Sequence, residues 1–282
     1  MNIVVFGMGY SASRWARSSR QDAICGTYRS VGKLDSLRRM LPNVTHALFG
    51  SIEVATRIDT ANALLVSTPP VDGHDPALAQ YRQAIASSRV SRIVYLSTIG
   101  VYGGQDGAWV DEDTPPVATS RRGADRVSAE REWLDFAAGC GKRAYVLRLA
   151  GIYGPGRNAL LNLRQGTAKR IVRDGQVFNR IHVDDIAQAI DACLTTDTEG
   201  GVFNVSDDEP SPPQDVISYG ARLLGMPPPP EIAFDKADLS PMARSFWANN
   251  QRVSNRLLKE TLGVSLRYPT YREGLTALLN DV

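Results

Sequence analysis

Five short apolar runs rich in β-branched residues, Ile3 to Phe6, Ala23 to Tyr28, Ala63 to Val66, Ile93 to Leu96 and Ala144 to Leu149, alternate with helix-compatible stretches. Runs without polar alternation suit strands buried on both faces, because helices cover both sides of a parallel sheet. The alternation predicts βαβ units, and right-handed crossovers then give an α/β fold with a doubly wound parallel sheet of the Rossmann type. Val44 to Phe49 and Val202 to Val205 are weaker strand candidates. Helices are predicted over Ser11 to Arg20, Lys33 to Met40, Ala77 to Ser88, Arg126 to Ala138, and from the pair Asp184-Asp185 to Leu194. Asp or Ser near several starts suits the positive end of a helix. From about residue 207, Pro210, Pro212, Pro213 and the run Pro227 to Pro230 break the chain into short pieces. This texture predicts a smaller C-terminal lobe, the proline run acting as a rigid connector.

The 282 residues are 43% hydrophobic and 22% charged, a globular composition that excludes disordered and fibrous classes. Thirty-two basic against 30 acidic residues leave +2, which gives no electrostatic reason for a nucleic-acid or membrane partner, so a small molecule is expected. Cys25, Cys140 and Cys193 stand far apart, without disulfide or zinc spacing. With no apolar segment near eighteen residues and no export signal, a cytoplasmic location is expected, and with no second His or Cys at metal-ligand spacing from His182, no catalytic metal is expected.

Directly after the first run stands Gly7-Met8-Gly9-Tyr10-Ser11-Ala12, a GxGxxA sequence opening a helix. Gly7 permits a tight turn, Gly9 admits a pyrophosphate close to the backbone, and Ala12 lets the helix pack on the strand, with Tyr10 and Ser11 in the first turn. The second strand ends without the acidic residue that would accept a ribose 2′-hydroxyl bond. Arg29, Ser30 and Lys33 stand there instead and offer donors to a 2′-phosphate, so NADP(H) is favoured over NAD(H). Ser67 and Thr68, at the end of the fourth strand, are further hydroxyls for the cofactor.

The segments RIVYLSTIGVYGG from Arg92, DEDTPP, LRLAGIYGPGRN and NRIHVDDIAQAI together resemble the extended short-chain dehydrogenase/reductase superfamily, in its NAD-dependent epimerase/dehydratase-like branch. The resemblance implies a Rossmann domain over residues 1–153 and 181–206, with a discontinuous substrate lobe over 154–180 and 207–282. It also implies a Ser/Thr at the end of the fifth strand, matched by Thr98, and a YxxxK pair. At the YxxxK position stand Arg122 and Arg126. Arg126 has the donors to hold a ribose, whereas the Arg122 guanidinium has no useful proton to exchange near neutrality. Tyr102, ahead of Tyr153, is then the first replacement to consider, and Asp125 and His182 are other titratable candidates. Tyr153, Arg157 and Arg180 are candidates for the substrate side, the arginines meeting an anionic group as in sugar-nucleotide members. The resemblance also brings a homodimer, through two helices including the one near Arg126, into consideration.

Two readings follow. One is an NADP-dependent oxidoreductase, or epimerase/dehydratase-like enzyme, acting on a small polar carbonyl, hydroxyl or sugar-nucleotide-type compound with a non-standard acid/base arrangement. The other is a non-catalytic NADP(H)-binding redox sensor or regulator, motivated by the arginines at 122 and 126.

Overall fold

A computed structural model describes every residue except Asp22 and Val282, and of Lys33 no side chain. Seven strands form the main sheet: β1 (Asn2–Phe6), β2 (Ala23–Tyr28), β3 (Val44–Leu48), β4 (Ala63–Val66), β5 (Arg92–Thr98), β6 (Arg143–Leu149) and β7 (Gly201–Val205). Their order is β7-β6-β5-β4-β1-β2-β3 with every neighbouring pair parallel, the doubly wound sheet expected from the apolar runs. The winding reverses where β1 lies between β2 and β4, so the ends of β1 and β4 open a crevice there. The glycine loop and Ser67-Thr68 meet at this crevice.

Eleven α-helices stand among the described residues: α1 (Tyr10–Ser18), α2 (Leu34–Met40), α3 (Ile52–Thr60), α4 (Pro76–Ser87), α5 (Arg121–Gly139), α6 (Ala159–Arg164), α7 (Val183–Thr195), α8 (Pro213–Leu223), α9 (Pro241–Phe246), α10 (Arg256–Glu260) and α11 (Tyr271–Ala277). Successive strand residues point to opposite faces. Ile3 and Val5 accordingly join a core with Trp15 of α1 and Ile190 of α7, while Val4 and Phe6 join one with Ile58 of α3, Leu78 of α4 and Trp133 of α5.

Within the main α/β unit, α3 and α5 differ from expectation. α3 is additional: it buries only Val54 and Ile58, a one-turn repeat too sparse to stand out in the sequence. α5 begins at Arg121 rather than Arg126, because Ser120 Oγ accepts the Gly123 N–H at 3.1 Å and caps it. Arg122 and Arg126 therefore lie one turn apart on a single helix.

Beyond the main sheet, Gly151–Tyr153 pairs with Arg180–His182, Arg170–Val172 with Glu231–Ala233, and Trp109–Val110 with Arg252–Val253, all parallel. Separate small cores gather Tyr153, Leu160, Val216, Tyr271 and Leu275, and Ile171, Ala237 and Trp247. No helix among the described residues is long and apolar enough to cross a membrane.

Candidate active site

The glycine loop has the features of an anion seat. Gly9 holds the N-cap of α1 with no side-chain cap, and the first turn carries no acid. Its N–H groups are thereby left for a ligand. Gly7 has φ +87°, and a Cβ there would lie 3.1 Å from Thr68 Cγ2 and 3.3 Å from Thr68 N, so both conformation and space require glycine. A Cβ on Gly9 would sit 3.7 Å from Ser67 Oγ, and Ala12 is fully buried. The Gly7 N–H donates to Thr27 Oγ1 at 3.1 Å, an anchor from β2 that sequence reasoning missed. Thr68 is buried, and its Oγ1 has no partner among the described residues. A hydroxyl left unpaired beside an uncapped helix start fits a phosphate or ribose.

Tyr10 does something else. Its hydroxyl donates to the Pro155 carbonyl at 2.9 Å and the Arg157 guanidinium stands 5.9 Å from its ring, so it straps the Gly154–Arg157 turn to the glycine loop. Ser11 is buried in the first turn of α1. Arg29 and Ser30 are exposed beyond β2, and Arg29 makes no ion pair with a described residue. The Lys33 ammonium lies outside the described residues.

Thr98 closes β5, and its Oγ1 accepts the Gly100 N–H at 3.1 Å, leaving its own proton to donate. It lies on a wall shared by two cavities of about 510 and about 410 Å³. Pro69, Pro70, Arg122, Asp125 and Arg126 line the smaller of these. Arg126 is half-buried and fixed by Nη1, which donates to Tyr95 Oη at 3.0 Å and to the Leu96 carbonyl at 2.9 Å. Arg122 is exposed, without an ion pair to a described residue.

Tyr102 is not brought to either cavity. It is fully buried, and its hydroxyl donates to Asn204 Oδ1 at 2.8 Å and accepts from Arg148 Nη1 at 2.9 Å. Arg148 in turn pairs with Glu130 at 2.8 Å, and Glu130 accepts from Ser97 Oγ. Burial raises the Tyr102 pKa, so the phenol is a member of a closed polar network and a poor proton carrier. Tyr102 follows Thr98 closely in the sequence, but in the turn Ile99–Tyr102 its side chain is buried away from both cavities.

Tyr153, Arg157 and Arg180 do come together: all three line the 510 Å³ cavity and an adjoining one of about 310 Å³. The Tyr153 hydroxyl packs toward Gly274 and lies 3.4 Å from the Thr270 carbonyl, and burial drives its ionisation far up. Arg180 is held by Nη1, which donates to the carbonyls of Phe178 and Ser211 at 3.0 and 3.2 Å and to Ser211 Oγ at 2.8 Å. It makes no ion pair with a described residue, and burial lowers its pKa. Asp207 is buried nearby, with Oδ1 accepting the Glu209 N–H and Oδ2 without a partner among the described residues, and burial pushes its pKa up to about 8.

His182 is the N-cap of α7: Nδ1 accepts the Asp184 N–H at 3.2 Å, and the ring packs on Tyr153 and Tyr268 at 5.2 and 4.1 Å. Burial lowers its pKa to about 4, so it is neutral near pH 7. Among the described residues no group of three or more His, Cys, Asp or Glu side chains is placed to hold a metal ion.

The glycine loop follows β1 and Thr98 closes β5, both at carboxyl ends of strands in the parallel sheet. Residues 80–206 match the NAD dependent epimerase/dehydratase family. Over that segment the chain is similar to this family. A solved structure of a functionally unknown conserved protein from Silicibacter pomeroyi DSS is 45% identical, with a TM-score of 0.88 over 99% of this chain and 98% of that one. Protein YeeZ of Escherichia coli K12 is 32% identical over 177 residues, 58% of this chain, and the match spans only 60% of that protein. A 3-diazoavenalumate denitrifying reductase from a Streptomyces species is 28% identical over 242 residues, 79% of this chain and 78% of that protein.

Proposed function

We propose that this protein is an oxidoreductase that prefers NADP(H) and acts on a carbonyl or hydroxyl carbon of a small molecule held against Thr98. The observation that carries the reading is Thr98, which lines two cavities and whose hydroxyl, accepting the Gly100 N–H, keeps its own proton to donate. The reductase name of the Streptomyces relative supports it, and the family match does not favour a regulator without catalysis.

The Gly7–Ala12 loop and the start of α1 would hold the pyrophosphate, Ser67 and Thr68 the adjoining hydroxyls or phosphate, Arg126 the nicotinamide ribose, and Arg29, Ser30 and Lys33 a 2′-phosphate. When bound, the cofactor supplies or accepts a hydride. Residues 1–153 and 181–206 form the cofactor side, and 154–180 and 207–282 the substrate side. Thr98 donates a hydrogen bond to the reacting oxygen, and Arg122 across the same cavity stabilises negative charge developing there. With Tyr102 sealed in the core, the proton is delivered by water entering the cavity rather than by a tyrosine.

The test is a nicotinamide-fluorescence titration with NADPH and NADH, followed by turnover on a panel of carbonyl compounds. NADPH binding at least about ten-fold tighter than NADH, with that ratio collapsing in Arg29→Ala, is expected from loss of a charge-assisted bond. Thr98→Val is expected to lower kcat by about 10²-fold, the scale of one lost transition-state donor. Equal affinities in Arg29→Ala and the parent, or unchanged turnover in Thr98→Val, would refute the assignments.

A further inference from the structure

We infer that the 510 Å³ cavity selects a flat apolar carboxylate, such as an aryl-substituted acid, in preference to a sugar nucleotide. This rests on the reading of Thr98, on the wall that this cavity shares with the 410 Å³ one, as the reaction site, and adds the chemistry of the substrate. Three observations converge.

The first is charge. Arg157 and Arg180 line the cavity, and no Asp or Glu is among the described residues that do so. Arg180 is anchored through one terminal nitrogen to Phe178 and Ser211, which fixes the guanidinium while leaving its other donors without a hydrogen bond among the described residues. Asp207 acts on this guanidinium only as a nearby charge, without a direct ion pair among the described residues, so the guanidinium keeps donors for an anionic group.

The second is the wall. Phe178 is clamped by Trp247 in an edge contact at 5.2 Å, so one aromatic side is rigid. Phe246 lines both the 510 and the 410 Å³ cavities yet remains 59% exposed at the end of α9. An exposed phenylalanine on a cavity rim has apolar area to bury once a ring lies beneath it.

The third is the shortage of free polar groups. Asn179, on the same wall, is spent: its Nδ2 donates to the Gln251 carbonyl at 2.8 Å and its Oδ1 accepts the Val253 N–H at 2.9 Å. Ser97 is bound to Glu130. Gln251 is 3% exposed and its Oε1 has no partner among the described residues, and with the Thr98 hydroxyl and the Asn249 amide it makes up the few uncharged side-chain places on this wall for a ligand hydroxyl or N–H. A sugar nucleotide carries many donors and acceptors that such a wall would leave unpaired at a cost in affinity. An apolar acid whose few other polar atoms are a hydroxyl or carbonyl group at Thr98 and its neighbours matches the supply.

The experiment is calorimetric titration of the full chain with cinnamate, cinnamamide and UDP-glucuronic acid, each with and without NADPH. Cinnamate is expected to bind at least about ten-fold tighter than cinnamamide, the worth of one charge-assisted pair, and tighter than UDP-glucuronic acid. Arg180→Gln should erase the acid-over-amide preference. Phe246→Ala, a change at an exposed position, should weaken cinnamate about five-fold while keeping that preference. Equal binding of acid and amide, no cinnamate binding, tighter binding of UDP-glucuronic acid, or an unaffected Phe246→Ala variant would each overturn the inference. The two readings separate cleanly. Failure of NADPH to bind while cinnamate keeps its preference sinks the cofactor reading alone, and NADPH binding without a cinnamate preference sinks this one alone.

Discussion

Tyr153 and Gly274 meet where the cavity wall rests on α11. A Cβ on Gly274 would fall 2.7 Å from Tyr153 Cζ and closer still to its hydroxyl, so the glycine gives the phenol its space. Gly274→Ala gains about 1 kcal/mol of helix propensity but overpacks a buried ring at about 1–3 kcal/mol, so the variant should have a lower Tm. Tyr153→Phe added to Gly274→Ala should recover part of that loss, because the atom nearest the new methyl is gone. If the double variant melts no higher than the single, the clash is not the cause. Tyr153 could be singled out from the GIYGPG segment, but Gly274 could not. Nothing local distinguishes a glycine kept for a side chain 121 positions away from an ordinary helical one. Arg157 and Arg180 were legible as a pair because they flank the same short crossover, whereas Gln251 and Phe246, equally part of the wall, come from a stretch whose sequence carries no motif.

At the scale of elements, α5 connects sheet and site. Glu130 on α5 and Arg148 on β6 form an ion pair with side chains only 4% and 5% exposed. Ser97, next to Thr98, hangs on the same carboxylate, and Tyr102 on the same guanidinium. Removing one partner leaves an uncompensated buried charge at a cost of about 3–5 kcal/mol, whereas replacing both by apolar groups costs far less. Glu130→Gln should therefore shift the urea midpoint strongly downward, and Glu130→Leu combined with Arg148→Met should fall between it and the parent. Equal destabilisation by the single and double changes would show that packing, not charge, is what the pair supplies. The apolar runs made β1, β2, β4, β5 and β6 readable within a residue or two, because burial on both faces demands unbroken apolar sequence. The start of α5 was less readable. Ser120 is a good cap, yet the polar stretch Arg121 to Arg126 buries only Gly123, so amphipathic periodicity begins late. That displacement hid the fact that Arg122 and Arg126 share one helix.

At the scale of the whole molecule, two buried groups set opposing pH dependences of folding. Burial lowers His182 to about 4 from an ordinary value of about 6.5, so between these the unfolded chain binds more protons and stability rises with pH. Burial raises Asp207 to about 8 from an ordinary value of about 3.9, so across that span the folded chain binds more protons and stability falls as pH rises. The two slopes offset from about pH 4 to 6.5, and from there to about pH 8 only the Asp207 slope remains. For these two groups, Tm should be level across the first interval and decline across the second. Asp207→Asn can keep the bond from the Glu209 N–H through Oδ1 and carries no charge, so it should remove the decline and raise Tm at pH 8.5 relative to the parent. The same variant should show a rising Tm between pH 5 and 6.5, now uncovered as the His182 contribution. Differential scanning calorimetry across this range decides it: a parallel decline in Asp207→Asn and the parent would mean that the carboxyl is already ionised in the folded chain, held by the field of Arg180 rather than neutralised by burial.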